Sequence, residues 1–435
     1  MIEIINSHNP TRLNEKLTSV RQRSIALDAD LMRTVEAIIN DVRVRGDEAL
    51  IEYNARFDGC VMDKSDLRIG EDEMRRIAAN VDANVLEALR EAIGNVRQFH
   101  EHERQDSWKI ETEYGVRLGQ RIAPIERVGL YVPGGTASYP SSVVMNVVPA
   151  QVAGVQRLVV ATPPRSLRKN PAVAAALLQL EVNEVYAVGG AQAIAALAYG
   201  TETVPCVDKI TGPGNRYVAA AKRLVFGLVG IDSIAGPSEV AIIADETARP
   251  EFVAADLLAQ AEHDEDACAL LITTSEQLAR DVAAEVSRQT ESLPRRAIVE
   301  KSLTNYGAIF VVADLDAACA IVNNLAPEHL EIVTREDETV AQSILHAGAI
   351  FFGSYTPEVV GDYFAGPNHV LPTAGTARFS SALGVNDFVK RTTILRYSRE
   401  ALGHSARKIA RLAEAEGLDA HARSAVIRLD DGNKQ

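Results

Sequence analysis

EVYAVGGAQAIAALAYG, residues 184–200, decides the fold. A short run of β-branched and aromatic residues (Val185, Tyr186, Val188) ends at Gly189 and Gly190, and an alanine-rich, helix-favouring run follows directly. That is a strand, a tight turn and a helix. On its N-terminal side VGLYVP (128–133) and RLVVAT (157–162) share the strand character. On its C-terminal side NRYVAAAKRLVFG (215–227) reads as a helix and SEVAIIAD (238–245) as a strand. A second run of the same kind follows. Pro250 opens a helix to about His263, since a first turn tolerates proline. Then come ACALLITT (267–274), a helix from Glu276, AIFVVAD (308–314), a helix from Leu315, HLEIVT (329–334), another short helix and AIFFGS (349–354). Strands alternating with helices predict α/β units with parallel sheets, here two of them, at about 128–242 and 243–379.

The flanks read differently. Leu31 to Asn54 and Glu71 to Glu103 carry apolar residues at helical spacing, such as Leu86, Leu89, Ile93 and Val96. At the other end Ser398 is a cap for a helix over Arg399 to Glu416, Gly417 ends it, and Asp419 starts another. The chain has 435 residues, too many for one core. With 47% hydrophobic and 24% charged residues it has a globular composition, and a net charge of −14 argues against nucleic acid or an anionic membrane as partner. MIEIINSHNP lacks the basic stretch and apolar run of a signal peptide, and no segment approaches the roughly 20 apolar residues of a spanning helix. Cys60, Cys206, Cys268 and Cys319 form no CxxC pair and read as reduced thiols. The expected address is the cytoplasm.

Four glycine-containing stretches follow the strands: VPGG (132–135), VGGAQ (188–192), TGPGN (211–215) and AGPSE (235–239). Glycine there lets a backbone approach a ligand, but none matches GxGxxG. In DLLAQAEHD, Asp256, Gln260 and His263 share one helix face, and Gln260 and His263 can offer one oxygen and one nitrogen to a cation; alone, such a face is a solvated stripe. APEHLE sets the carboxylate of Glu328 beside the imidazole of His329, a base for water and a base for a substrate proton. GDYFAGPNHVLP adds Asp362 and His369, and EGLDAHARS adds Glu416 and His421. The possible ligands are thus Gln260, His263, Asp362, His369 and His421, a nitrogen and oxygen set suited to Zn²⁺ or Mn²⁺, and spacing does not choose among them.

The order and content of LYVPGGTASYPSSVVMNVVPA, VGGAQAIAALAYGT, DKITGPGN, AGPSEV, LLAQAEHD, APEHLE, GDYFAGPNHVLPT, GTARFSSALGV and AEGLDAHA resemble the histidinol dehydrogenases over nearly the whole chain. The resemblance implies a four-electron oxidation of L-histidinol, through the aldehyde, to L-histidine, with two NAD⁺ consumed. It implies one zinc per subunit on Gln260, His263, Asp362 and His421, leaving His369 outside the set. Glu328 and His329 become the catalytic pair. Ser238, Gln260, His263, His329, Asp362, Glu416 and His421 would bind substrate, and Tyr131, Gln192 and Asn215 would contact NAD. The implied fold is two incomplete Rossmann-like units with parallel sheets, helical N- and C-terminal segments, and an intertwined homodimer in which Glu416 and His421 complete the partner's site. The expected division is 1–25 as an N-terminal helical segment; 26–128 with 243–382 as a first Rossmann-like domain holding metal and catalytic residues; 129–242 as a second with the NAD contacts; and 383–435 as a C-terminal helical dimerisation segment. A zinc- and NAD-dependent dehydrogenase of another small diol, and a relative without catalysis, are the alternatives.

Overall fold

The computed structural model describes residues 2–22, 29–134 and 139–429; Gly135 of the first glycine stretch and residues 23–28 at the first expected boundary lie outside them. The chain divides into two compact units, Met1–Glu103 with Ile125–Phe388, and Arg104–Pro124 with Val389–Gln435.

The larger unit holds two sheets whose five main strands run parallel; the first also carries the short edge strand Arg68–Ile69, antiparallel to Glu184–Ala187. Strands Arg127–Tyr131, Arg157–Thr162, Glu184–Ala187, Lys209–Thr211 and Gly230–Ile231, counted along the chain, stand in the order 3-2-1-4-5. Strands Glu239–Ala244, Cys268–Thr273, Ala308–Val311, His329–Val333 and Ala349–Phe352 repeat that order. Each is the dinucleotide-binding topology without its sixth strand. EVAIIA at 239–244 and CALLIT at 268–273 are buried throughout, as central parallel strands covered on both faces must be. The two Rossmann-like units with parallel sheets expected from the sequence are therefore present.

Three features depart from the expectation. The N-terminal segment is not wholly helical: Glu3–Asn6 pairs in parallel with Ala308–Val311 and extends the second sheet, ahead of helix Pro10–Gln22. Four residues on a sheet edge carry too little pattern to be read. Next, Leu31, Val35, Ile38 and Val42 of helix Ala29–Arg45 pack with Val159, Ile194, Leu197 and Val218. Leu89 and Val96 of helix Ala83–Glu101 pack with Val143, Val147 and Val173. These helices cover the 127–231 sheet, whereas the expected division grouped 26–128 with 243–382. Helical spacing shows an apolar face but not what it meets. Lastly, the C-terminal segment includes a strand, Val389–Arg396, antiparallel to Val116–Pro124, which pairs in turn with Trp108–Thr112. Seven of the eight side chains of Val389–Arg396 are exposed, so no inward–outward alternation marked it.

The smaller unit is this three-stranded sheet with helices Arg399–Ala415 and Asp419–Val426, which pack through Ala410, Ala413, Ala422 and Val426. Ser398 caps the first helix as predicted, its side chain accepting from Ala401 N. Leu395, Tyr397, Leu412 and Ile427 stay exposed. Among the described residues no helix is long and apolar enough to cross a membrane.

Phe310, on strand Ala308–Val311, is a large, fully buried side chain of the second sheet's core. Phe310→Ala is expected to cost about 3–5 kcal/mol of folding free energy in chemical denaturation.

Candidate active site

The parallel pairing of Glu239–Ala244 with His329–Val333 sets Val240 opposite His329. One residue earlier, at the amino edge of the sheet, side chains take over from the ladder. The Glu239 backbone N–H donates to Glu328 Oε2 at 3.0 Å, and its carbonyl accepts from His329 Nδ1 at 3.2 Å. A single residue's backbone thus orients both members of the expected catalytic pair. Since a carbonyl only accepts, Nδ1 carries the ring proton and Nε2 offers its lone pair. Nε2 is buried with no hydrogen-bond partner and lies 3.8 Å from Asp362 Oδ1. Burial lowers the His329 pKa to about 4, against a weaker opposing pull from Asp362 and the Glu239 carbonyl. The ring is a neutral acceptor at physiological pH.

Helix Pro250–Ala261 leaves the carboxyl end of strand 239–244 and runs back, bringing Gln260 and then His263 to the same edge. His263 Nδ1 donates to the Ala259 carbonyl at 3.0 Å, which leaves Nε2 for a ligand. Helix Glu358–Tyr363 supplies Glu358 and Asp362, one turn apart. His263, Glu358 and Asp362 each offer a donor atom within 4.8 Å of the others. Gln260 is fully buried, and with its amide nitrogen toward Glu358 it reaches both carboxylate oxygens at 3.2 Å. That orientation pairs the amide nitrogen with the carboxylate and turns the amide oxygen, a candidate ligand, away from it.

Around this group lie more buried acids than water would permit. Burial, then Asp362, Glu328, Glu331 and Asp256, push the Glu358 carboxyl well above the usual range. Glu331 is raised by burial and by Asp256, and Asp256 is itself pushed up to about 6 by burial. Asp256 and Glu331 hydrogen-bond to each other, which requires a proton between them. Glu331 also accepts from the Glu358 backbone N–H at 2.8 Å, so it ties helices 250–261 and 358–363 to the strand that bears His329. A nitrogen and oxygen set among partly neutralised carboxyls fits a divalent cation such as zinc.

The expected residues are thus distributed as follows. Gln260, His263, Asp362, Glu328 and His329 converge, and Ser238 immediately precedes the Glu239 that orients the pair. Asp256 shares the helix face but pairs with Glu331. His369 stands beside Asp362, its Nδ1 donating to the Asp362 carbonyl at 3.0 Å. Glu416 and His421 belong to the smaller unit, both exposed, at the end of one helix and within the next. Tyr131 ends the first strand of the first sheet, and Gln192 and Asn215 follow its third and fourth, so all three lie at its carboxyl edge. Tyr131 Oη accepts from Gly190 N at 3.1 Å, Gln192 is buried in the first turn of its helix, and Asn215 caps another helix by accepting from Tyr217 N and Val218 N. Sequence reasoning missed Glu239, Glu331 and Glu358. Of these, only Glu358 had a signal, its four-residue spacing from Asp362.

The family model described as histidinol dehydrogenase matches residues 21–429. The chain is 57% identical to the histidinol dehydrogenase of Geobacillus kaustophilus over 401 residues, covering 92% of this chain and 94% of that one. It is 53% identical to that of Bacillus subtilis over 409 residues, covering 94% and 95%. The crystal structure of histidinol dehydrogenase from Elizabethkingia anophelis superposes with a TM-score of 0.91 at 37% identity, covering 97% of both chains.

Two outcomes follow from the geometry. Glu358→Ala frees the Gln260 amide and should weaken zinc binding about 10–100-fold in competition with a chelating dye. The second concerns pH. The folded-state pKa of His329, about 4, lies below its model value of 6.5. Its neutral ring therefore contributes its full share of stability above pH 6.5 and loses it as pH falls through 4. In metal-free protein, the stability of wild type relative to His329→Gln should drop by about 3 kcal/mol across that window, measured by urea denaturation.

Proposed function

The chain belongs to the histidinol dehydrogenase family, and on that premise we propose that the edge shared by Gln260, His263, Glu328, His329 and Asp362 oxidises L-histidinol to L-histidine with NAD⁺. The observation that carries this is the fixed His329 tautomer: a buried, neutral Nε2 lone pair beside the cation group. An alcohol releases hydride only as its O–H proton leaves. His329 Nε2 accepts that proton while hydride passes to the first NAD⁺, and the aldehyde forms. Burial opposes charge on the ring, and Asp362, 3.8 Å from Nε2, is the carboxylate that favours the imidazolium once the proton arrives. The aldehyde has no hydroxyl hydrogen to lose, so water must add first. Glu328 takes one proton from the water as it adds and returns it to the former carbonyl oxygen, so the diol forms; His329, having released its earlier proton to solvent, accepts a diol hydroxyl proton as the second hydride leaves.

Gln260, His263 and Asp362, with His421 of the partner subunit, would hold zinc, which would supply a fixed cation to orient the substrate. Ser238 and Glu416 complete the recognition of the amino alcohol, and Tyr131, Gln192 and Asn215 contact NAD. In this division of labour 243–382 carries the chemistry and 129–242 the cofactor. Burial raises the pKa of the Tyr139 hydroxyl, which precedes helix Pro140–Ala153, and Asp264, Asp362 and Glu262 add to that against Arg295, consistent with the two edges sharing one cleft.

We further assign a homodimer whose 383–435 segment completes the neighbour's site, with Glu416 and His421 crossing over. The exposed apolar side chains of the smaller unit support it, because a surface of that kind is usually covered. As an enzyme of amino-acid synthesis it belongs in the cytoplasm.

Three results are expected. Glu328→Gln should slow oxidation of supplied histidinaldehyde about 10²–10⁴-fold while sparing the alcohol half-reaction, both followed as NADH at 340 nm (about 340, the nicotinamide band). Wild type should yield two NADH per histidinol, a stoichiometry of one being fatal to the four-electron reading. Hybrids of Glu328→Gln and His421→Asn chains should recover the full two-NADH turnover that neither parent completes; hybrids without it after verified subunit exchange would remove the shared site.

A further inference from the structure

The loop Thr211–Asn215 follows the fourth strand of the first sheet, at the point where the strand order reverses and dinucleotides bind in this topology. It has no GxGxxG turn to shape it. Its conformation is demanding even so. Gly212 adopts φ +112°, and a Cβ there would stand 2.1 Å from the Tyr131 carbonyl oxygen, so the loop is pressed onto the backbone of a proposed NAD contact. At Gly212 the backbone is held on both sides. Its N–H donates to Asp232 Oδ2 at 2.8 Å, and its carbonyl accepts from Lys222 Nζ at 3.0 Å. Lys222 and Asp232 are ion-paired with each other, and their side chains are only 3% and 4% exposed. One residue back, Thr211 Oγ1 donates to Asn146 Oδ1 at 2.9 Å. Past this clamp the chain runs out to the exposed Asn215, which caps the helix that itself carries Lys222.

We propose that the buried Lys222–Asp232 pair is a positioning device for NAD, fixing the Gly212 backbone so that Pro213 to Asn215 meet the dinucleotide in one geometry. A buried ion pair gains little stability over apolar residues of the same size, because desolvating two charges offsets their attraction. What it supplies here is direction: one charged donor and one charged acceptor, each bonded to the same glycine. The proposal rests on the reading that the 211–215 loop contacts NAD. Neither residue touches the cofactor in this scheme; both act through the loop.

The test compares Lys222→Met/Asp232→Leu, which removes both charges at similar volume, with Asn215→Ala, in the zinc-loaded dimer. NAD⁺ and NADH are titrated without substrate by calorimetry, alongside zinc content, histidinol binding and steady-state kinetics. The double variant should bind both nucleotides at least about tenfold more weakly and raise KM for NAD⁺ in step. Zinc content, KM for histidinol and kcat at saturating NAD⁺ should stay near wild type, a split that a general loss of stability would not produce. Should Asn215→Ala weaken NAD binding while the double variant leaves it unchanged, the clamp is overturned and the loop contact stands. Should Asn215→Ala also bind NAD normally, the loop reading falls and takes the clamp with it. If the double variant does not fold, Asp232→Asn, which keeps an acceptor for Gly212 N–H but unbalances Lys222, is measured the same way and judged by the same affinities.

Discussion

The register between strands Glu239–Ala244 and His329–Val333 is the constraint on which the rest depends. It brings the Glu239 backbone N–H to Glu328 and its carbonyl to His329. A slip of one residue would exchange donor and acceptor, and every side chain on the strand would change face. The carboxylate would lose its donor, and the imidazole would lose the partner that sets its tautomer. That register is anchored by the most thoroughly buried strands of the chain, so the chemistry is as rigid as the core. Gly348 reinforces it from the far side: a Cβ there would stand 2.5 Å from the Glu328 carbonyl oxygen, which already accepts from Ala349 N–H.

The two sheets are used at opposite ends. The first presents Tyr131, Gln192 and Asn215 at its carboxyl edge, the usual place for a dinucleotide. The second gathers Glu328, His329, Gln260 and His263 at its amino edge, because helix 250–261 returns there and strand 329–333 starts there. Half the molecule therefore follows the general rule for open α/β sheets, and the other half inverts it. The inverted edge is also where the buried acids collect. Their mutual repulsion is relieved by the proton shared between Asp256 and Glu331, by backbone donors, and by the amide of Gln260.

Much of this was legible in the sequence. The alternation of apolar β-branched runs with alanine-rich helices fixed the fold class, since central parallel strands admit little else. The side chains of AQAEH, APEHLE and GDYF were legible as candidates, but a helix-face stripe and an isolated Glu-His pair read as solvated residues on their own, and the family resemblance is what singled them out. What was not legible divides by cause. Glu239 acts through its backbone, and no side-chain pattern announces a backbone role. Glu331 lies inside HLEIVT, where a single acid in a buried strand looks like a solvent-facing residue until the register is known. The strand Val389–Arg396 has side chains exposed on both faces, and hydrophobic periodicity is silent about such a strand. The partner of the N-terminal helices is a long-range property that local spacing does not encode.

The hydrogen bond from His329 Nδ1 to a peptide oxygen has one more consequence. A carbonyl cannot carry a proton onward, and the nearest carboxylate oxygens to Nδ1 stand at 3.7 Å, outside hydrogen-bond reach. In the proposed reaction the imidazole is therefore a carrier with a single port. What it would load at Nε2 it would have to unload at Nε2, in the interval between the two hydride departures. On that reading, retaining the intermediate and letting solvent reach the ring are opposing demands on one cleft.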